Sequence, residues 1–257
     1  DKIVLNTLDN EYDEGKFIAD EITKTMGQNG KFSDYAVLYR MNSMSNSIER
    51  CFVRSGIPYR IIGGHKFYER MEIKDALAYL SVIVNHDDNY RLERIINVPK
   101  RGIGATTINA AKEIADALGI SLFQVFKSAD EYEKLKRSSS KLIEFTSMIE
   151  SFTDLLTRES PSSVFLSLLD ETGYKVSLMS DKEKGEERLQ NLDELNSNLI
   201  RFKEENPDSD LSDFLEEVAL LTDIDNYNSD ADAVVLMTLH SSKGLEFPVV
   251  FIPGMEE

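Results

Sequence analysis

The sequence predicts an α/β fold in which a parallel sheet is interrupted by a large all-helical insertion. Three observations carry that reading. Strand and helix patterns alternate up to Ile62, amphipathic helices alone fill residues 73 to about 223, and buried-strand character returns only at Ala233. A helical domain inserted into an α/β domain explains this order most simply, because insertions are tolerated at exposed loops.

The elements follow in chain order. Residues 3–8 read as a short strand. Residues 9–28 keep a helical period through Phe17, Ile18, Ile22 and Met26, with Asp9 or Asp13 available as a cap. YAVLY at 35–39 is an apolar run suited to a buried parallel strand. Residues 45–55 form a helix stopped by Gly56 and Pro58, and 59–62 a strand ended by Gly63-Gly64. Helices are predicted over 73–85, 90–98, 105–118, 122–127, 139–157, 162–171, 187–205 and 211–221, joined by short polar connections. The acidic stretch 223–232 reads as a linker, and 233–239 and 248–252 as buried strands. The sequence stops just after that last strand, with no finishing helix, and so reads as a fragment.

A chain of 257 residues suffices for one large or two small domains. No run reaches the roughly 18 uncharged apolar residues of a membrane span. The start, DKIVLNTLDNEYDEG, lacks the basic end and apolar core of a signal peptide. The single cysteine, Cys51, excludes an internal disulfide framework and fits a reducing cytoplasm. With Ile48 and Phe52 it lies in an amphipathic pattern, which suits a small buried residue better than a nucleophile.

The net charge of −17 argues, taken alone, against nucleic acid, since phosphate binding rests on Lys and Arg. The charge is unevenly spread. Residues 36–74 hold seven Lys/Arg against three Glu, and residues 91–112 hold five against one. Each stretch is therefore +4, and the rest of the chain carries −25. Two basic islands can dock an anion locally, or be ordinary solvated helix faces.

Three segments carry chemistry. In IINVPKRGIGATTINAAKEI, residues 95–114, an apolar helix ends near Pro99 and a Gly102-Ile103-Gly104 turn leads into a second helix. Glycines permit a tight turn, and free N–H groups at the turn and the next helix start can hold a phosphate. Lys100 and Arg101 add charge, Thr106 and Thr107 sit at the helix start, and Ile103 points inward to pin the hairpin. A plain helix–helix corner with Gly as stop and Thr as cap would need the same residues. The second segment, residues 59–80, carries His65, Lys66, Phe67, Tyr68 and Arg70 after a Gly-Gly turn. Alternating basic and aromatic groups suit single-stranded nucleic acid, although by spacing Phe67 and Tyr68 fit a core better. In the third, a buried strand ends in Thr238 and His240, followed by the turn Ser241-Ser242-Lys243-Gly244 and Glu246. Polar residues just past the carboxyl end of a parallel strand are where α/β sheets bind ligands. The scattered His65, His86 and His240 form no metal site, and no G-x-x-x-x-G-K-[ST] phosphate loop exists anywhere.

These residues resemble a known family. YAVLYRMNSMSNSIE, GIPYRIIGGHKFYERMEIKDALAYL, INVPKRGIGATTI, GEERLQNLDEL and VVLMTLHSSKGLEFPVVFIPGMEE are similar, in order, to consecutive blocks of the PcrA/UvrD/Rep superfamily 1 DNA helicases, nearest to the PcrA branch. The resemblance implies residues 1–85 as the first part of a RecA-like domain (2A), 86–228 as the helical domain 2B with its hairpin, and 229–257 as the return to 2A with motif V. It implies ATP contacts at Glu246 and Gly244, with Glu246 on the ribose. It implies single-strand contact or coupling at Arg40, Asn42, Gly63, Gly64, Lys66, Arg70, Thr238 and His240. Duplex contacts fall to Lys100, Arg101, Gly102, Ile103, Gly104, Thr106 and Thr107. No catalytic residue and no metal ligand is implied within these residues.

The expectation is a portion of a cytoplasmic, ATP- and Mg²⁺-dependent 3′→5′ DNA helicase acting on single strands and forks. The partner RecA-like domain 1A, with the Walker loop, is missing from it, and so is motif VI. The portion alone is expected to be inactive as an ATPase. A non-catalytic DNA-binding or regulatory module, meeting protein partners through 2B, is the alternative. A hairpin-containing repair nuclease ranks third, for want of an acidic metal cluster.

Overall fold

The computed structural model describes residues 3–26, 30–226 and 232–255. They form two compact units, Asp1–Arg70 with Glu217–Glu257, and Met71–Glu216.

The first unit is an α/β layer. Its strands are β1 (Tyr35–Tyr39), β2 (Tyr59–Ile62), β3 (Val234–Thr238) and β4 (Val249–Phe251). All pair in parallel in the order β2-β3-β1-β4. Alternation along β1 separates two faces. Tyr35, Val37 and Tyr39 join Val234 and Leu236 beneath α1 (Glu11–Thr25) and α2 (Ser45–Arg54), whereas Ala36 faces the other way with Val235 and Met237. The cap of α1 is Asn10, not Asp9 or Asp13: its side-chain oxygen accepts the Asp13 N–H at 3.0 Å. Gly15 lets α1 approach α2 closely, since a Cβ there would lie 3.0 Å from the Ser47 carbonyl oxygen and 3.1 Å from Cys51 Sγ. Cys51 is a buried member of this core.

Three expectations for this unit change. The strand read as buried at 248–252 is β4, and it is exposed at Val249 and Val250. Residues 3–8 form no strand. They pair with no strand among the described residues, and Ile3, Val4 and Leu5 are exposed; apolar alternation makes a strand only where a ladder partner meets it. The stretch read as a linker is helical up to Asn226; 227–231 lie outside the described residues. At its end the Asp232 carboxylate accepts the N–H groups of Phe32 and Ser33 at 2.7 and 2.8 Å, which fixes the turn entering β1; the Ser33 side chain first, and then these N–H groups, hold its pKa below the usual range.

The second unit is helical among its described residues: α3 (Met71–Val84), α4 (Asn89–Ile95), α5 (Ala105–Leu118), α6 (Leu122–Lys127), α7 (Ser139–Leu156), α8 (Pro161–Glu171), α9 (Tyr174–Met179) and α10 (Gly185–Glu205). The chain then enters α11 (Leu211–Asn226). The short α9 is not predicted; only Tyr174 and Leu178 of its six residues are buried, too few to mark an apolar face. Helix α3 is the hub, packing against α4, α7 and α10. Its apolar residues Ile73, Ala76, Leu80 and Ile83 are buried, and two buried carboxylates fix its first turns. Glu72 accepts from Asn191 Nδ2 at 2.6 Å, and Asp75 accepts from Tyr174 Oη at 2.8 Å and pairs with Arg94. No described helix is long and apolar enough to cross a membrane.

Candidate nucleotide and nucleic-acid sites

Parallel pairing puts the carboxyl ends of β1, β2 and β3 on one edge of the sheet. The registers Tyr39↔Thr238 and Ile62↔Met237 make those ends level. The residues that follow therefore converge. A Cβ on Gly63, whose φ is +78°, would lie 2.9 Å from Ser241 Oγ, and one on Gly64 would lie 3.5 Å from Asn42 Oδ1. Ser241 Oγ is in turn 3.0 Å from Thr238 Oγ1. Asn42, Gly63, Gly64 and Thr238 are thus one cluster, joined by Ser241, which the sequence did not single out. Arg40 and His240 are exposed. Gly244 (φ +85°) leads to Glu246, also exposed, and an added Cβ on Gly244 would meet nothing within 4 Å.

The basic-aromatic segment is largely turned inward. Phe67 and Tyr68 are core residues, edge-to-face at 5.1 Å. Lys66 lies over the Tyr59 ring at 5.0 Å. Arg70, expected at the nucleic acid, is only 8% exposed. Its Nη2 donates to the Asn42 carbonyl and to Ser45 Oγ, both at 2.8 Å. Buried guanidinium donors must be satisfied internally, so this geometry corrects its role from contact to scaffold.

In the helical unit, residues 96–104 form the hairpin between α4 and α5. Ile103 is buried, and Gly102 takes φ +72°. Asn97 Oδ1 braces the turn, accepting the N–H groups of Arg101 at 2.7 Å and Ile103 at 3.4 Å. The N–H groups of Gly102 and Gly104 donate to nothing among the described residues, and no side chain caps α5. Lys100 and Thr106 are exposed, while the Thr107 hydroxyl lies 3.2 Å from Ser138 Oγ.

Arg101 departs from expectation as Arg70 does. Its Nη1 lies 3.0 to 3.3 Å from the carbonyl oxygens of Ile95, Ile96, Val98 and Pro99. Its Nη2 donates to Tyr79 Oη at 2.6 Å, and the guanidinium sits over the Phe145 ring. Its Nη1 and Nη2 donors are taken up by the hairpin's own carbonyls and Tyr79. Lys141 of α7 supplies one that sequence distance concealed: a Cβ on Gly102 would lie 2.8 Å from its Nζ.

The basic islands shrink accordingly. Arg50 is buried, while Arg91, Arg94 and Lys112 pair with Asp88, Asp75 and Glu93. No group of three potential metal-ligating side chains occurs among the described residues.

Against known proteins, residues 1–257 match the family model for the UvrD-like helicase C-terminal domain. The chain is 41% identical over 258 residues to the ATP-dependent DNA helicase PcrA of Bacillus subtilis, covering 97% of this chain and 35% of that protein. It is 40% identical over 262 residues to PcrA of Staphylococcus epidermidis and 37% over 270 residues to PcrA of Leuconostoc citreum, in each case covering 100% of this chain and 36% of the relative. The chain thus spans about a third of the length of these curated relatives.

Proposed function

Because the chain belongs to the UvrD-like helicase C-terminal domain family, we propose that it is the 2A/2B portion of an ATP-dependent 3′→5′ DNA helicase. The observation that carries this is the convergence of Asn42, Gly63, Gly64 and Thr238 on one sheet edge, beside exposed Arg40 and His240. Single-stranded DNA would lie along that edge, with Arg40 on phosphate and Thr238 and His240 relaying its position. On the same strand-to-strand connection Glu246 would accept the hydroxyls of the ATP ribose, its carboxylate being exposed and the backbone at Gly244 uncrowded. ATP hydrolysis between this wall and a second RecA-like domain, 1A, supplies the free energy for stepping. The described residues offer no triphosphate loop and no acidic cluster, so no residue here is assigned to Mg²⁺. The hairpin would grip duplex DNA ahead of the fork through Lys100 and the free N–H groups of Gly102 and Gly104, contacts that read backbone and not sequence. A cytoplasmic location belongs to the same proposal.

The test uses the purified chain. It should bind forked DNA weakly and salt-sensitively, and neither hydrolyse ATP nor unwind. Gly102→Asp should abolish the duplex contribution, since a carboxylate there repels phosphate. DNA-stimulated ATP turnover by this chain, or unchanged duplex binding in the variant, refutes the assignment.

A further inference from the structure

We propose that Glu49 and Arg70 are a buried positioning pair that fixes the spacing between the loop after β1 and the loop after β2, and through it the affinity for single-stranded DNA. The inference rests on the reading of those loops as the single-strand contact.

Glu49 lies on the inner face of α2 and is 5% exposed. Its Oε2 accepts Tyr59 Oη at 3.0 Å and the Phe67 N–H at 3.1 Å. Its Oε1 accepts the Ser45 hydroxyl at 2.5 Å. The Ser45 oxygen accepts Arg70 Nη2 at 2.8 Å, and the same guanidinium nitrogen donates to the Asn42 carbonyl at 2.8 Å. Arg70 Nε reaches the His65 carbonyl at 3.4 Å. Each of these contacts finishes on α2, on β2, or on one of the two loops. Glu49 holds the far end of the β2 loop at Phe67, and Arg70 ties its middle, at His65, to Asn42 in the β1 loop. A Cβ added to Gly64 would lie 3.5 Å from Asn42 Oδ1, so the two loops run close together at the point the pair braces.

A buried carboxylate and guanidinium, here joined through the Ser45 hydroxyl, are an expensive way to fill a core, and apolar residues of similar volume often do as well or better for stability. Their retention needs a reason, and the loops supply one. Irregular backbone has carbonyls and amides without ladder partners, and a carboxylate and a guanidinium can answer several at once. Burial raises the Glu49 pKa, while Ser45, Arg70, the Phe67 N–H and Tyr59 oppose that rise.

Glu49→Gln tests the idea by sign. The change removes a negative charge, so bulk electrostatics alone predicts unchanged or tighter DNA binding. The positioning pair predicts weaker binding of a fluorescein-labelled oligo(dT) by about tenfold, within the range of residues that act through others. Duplex affinity through the hairpin should stay as in the parent chain, which controls for folding. Amide hydrogen exchange should accelerate in residues 40–45 and 63–69 but not in β3. Arg70→Lys, which keeps charge but not the fork, should recover part of the affinity lost in Arg70→Gln. Oligo(dT) affinity and loop protection both unchanged in Glu49→Gln would overturn the proposal. Binding that is absent, or indifferent to Arg40→Ala, would instead overturn the reading of the loops, and the inference with it.

Discussion

Replacing Arg101 should cost stability, not DNA contact. The two Nη1 hydrogens are shared among four hairpin carbonyls and Nη2 holds Tyr79 Oη, so Arg101→Met removes about three charge-assisted hydrogen bonds. Such bonds are worth about 1.5–3 kcal/mol each, but the site is half-buried and water can reach some of the freed carbonyls. The lower end of the range fits, and overlapping acceptors are not additive, giving a loss of about 3 kcal/mol. Tyr79 adds to the loss. Burial pushes its pKa up to about 12, so it stays neutral, donating to the Val98 carbonyl while accepting from Arg101. Arg101→Lys keeps the charge but spans only one or two acceptors, and should lose about 2 kcal/mol. Urea unfolding followed by far-UV circular dichroism measures both. In urea-free buffer, duplex affinity of Arg101→Lys should remain within about twofold of the parent. A stability loss below about 1 kcal/mol for Arg101→Met, or a tenfold loss of affinity in a fully stable Arg101→Lys, would refute this account of the hairpin.

Lys100→Ala should behave oppositely: stability within about 0.5 kcal/mol of the parent, weaker duplex binding, and a salt slope reduced by about one. Lys141→Ala should do the same, because its ammonium stands beside the Gly102 turn; a slope unchanged by either variant would remove that lysine from the contact. Phe126→Ala, a fully buried ring of α6, should cost about 3–5 kcal/mol in urea unfolding, and a loss under 1 would mean the helical core repacks freely. His86 stacks on Phe123 at 4.2 Å and burial lowers its pKa, against the pull of Glu150 and Asp87. The unfolded chain therefore takes up the proton more readily, so stability present above pH 6.5 should be lost as pH falls through the lowered value. Melting temperatures of His86→Phe should show a flatter acid limb; an identical limb would assign the acid loss to other groups.

Most elements were legible in the sequence because their periodicity is the packing. YAVLY reads as a buried strand and is β1, completely inside except at Leu38. The helices fell within a residue or two of their expected starts wherever an apolar stripe meets a hub such as α3. What failed were features that depend on partners remote in sequence. Residues 3–8 have strand composition but no ladder. The stretch read as a linker carries α11 onward to Asn226. At the candidate site, the positive-φ glycine turns at Gly63 and Gly102, the exposed Glu246 and the strand-end position of Thr238 were legible by type and place. The groups that brace them, Glu49, Asn97 and Ser241, carried no local signal. Most of their partners lie past a turn or in another loop, such as Tyr59 and Phe67 for Glu49, and a single polar residue has no period to betray it.

The three motif arginines show why. A motif match marks a position as constrained without saying which way its side chain points. Arg40 is exposed at the sheet edge, whereas Arg70 and Arg101 turn inward onto loop carbonyls. The inward pair share a geometry. Gly102, of positive φ, directly follows Arg101, and Gly63, also of positive φ, opens the loop that Arg70 closes. Such a turn must satisfy its inward carbonyls without a helix or strand partner, and a guanidinium with five donors can do so in one piece. In the hairpin Arg101 takes up the inward carbonyls, and the N–H groups of Gly102 and Gly104 donate to nothing among the described residues. Arginine there does not attract the phosphate. It satisfies the turn's inward carbonyls, and the charge beside the turn comes from Lys100 and Lys141.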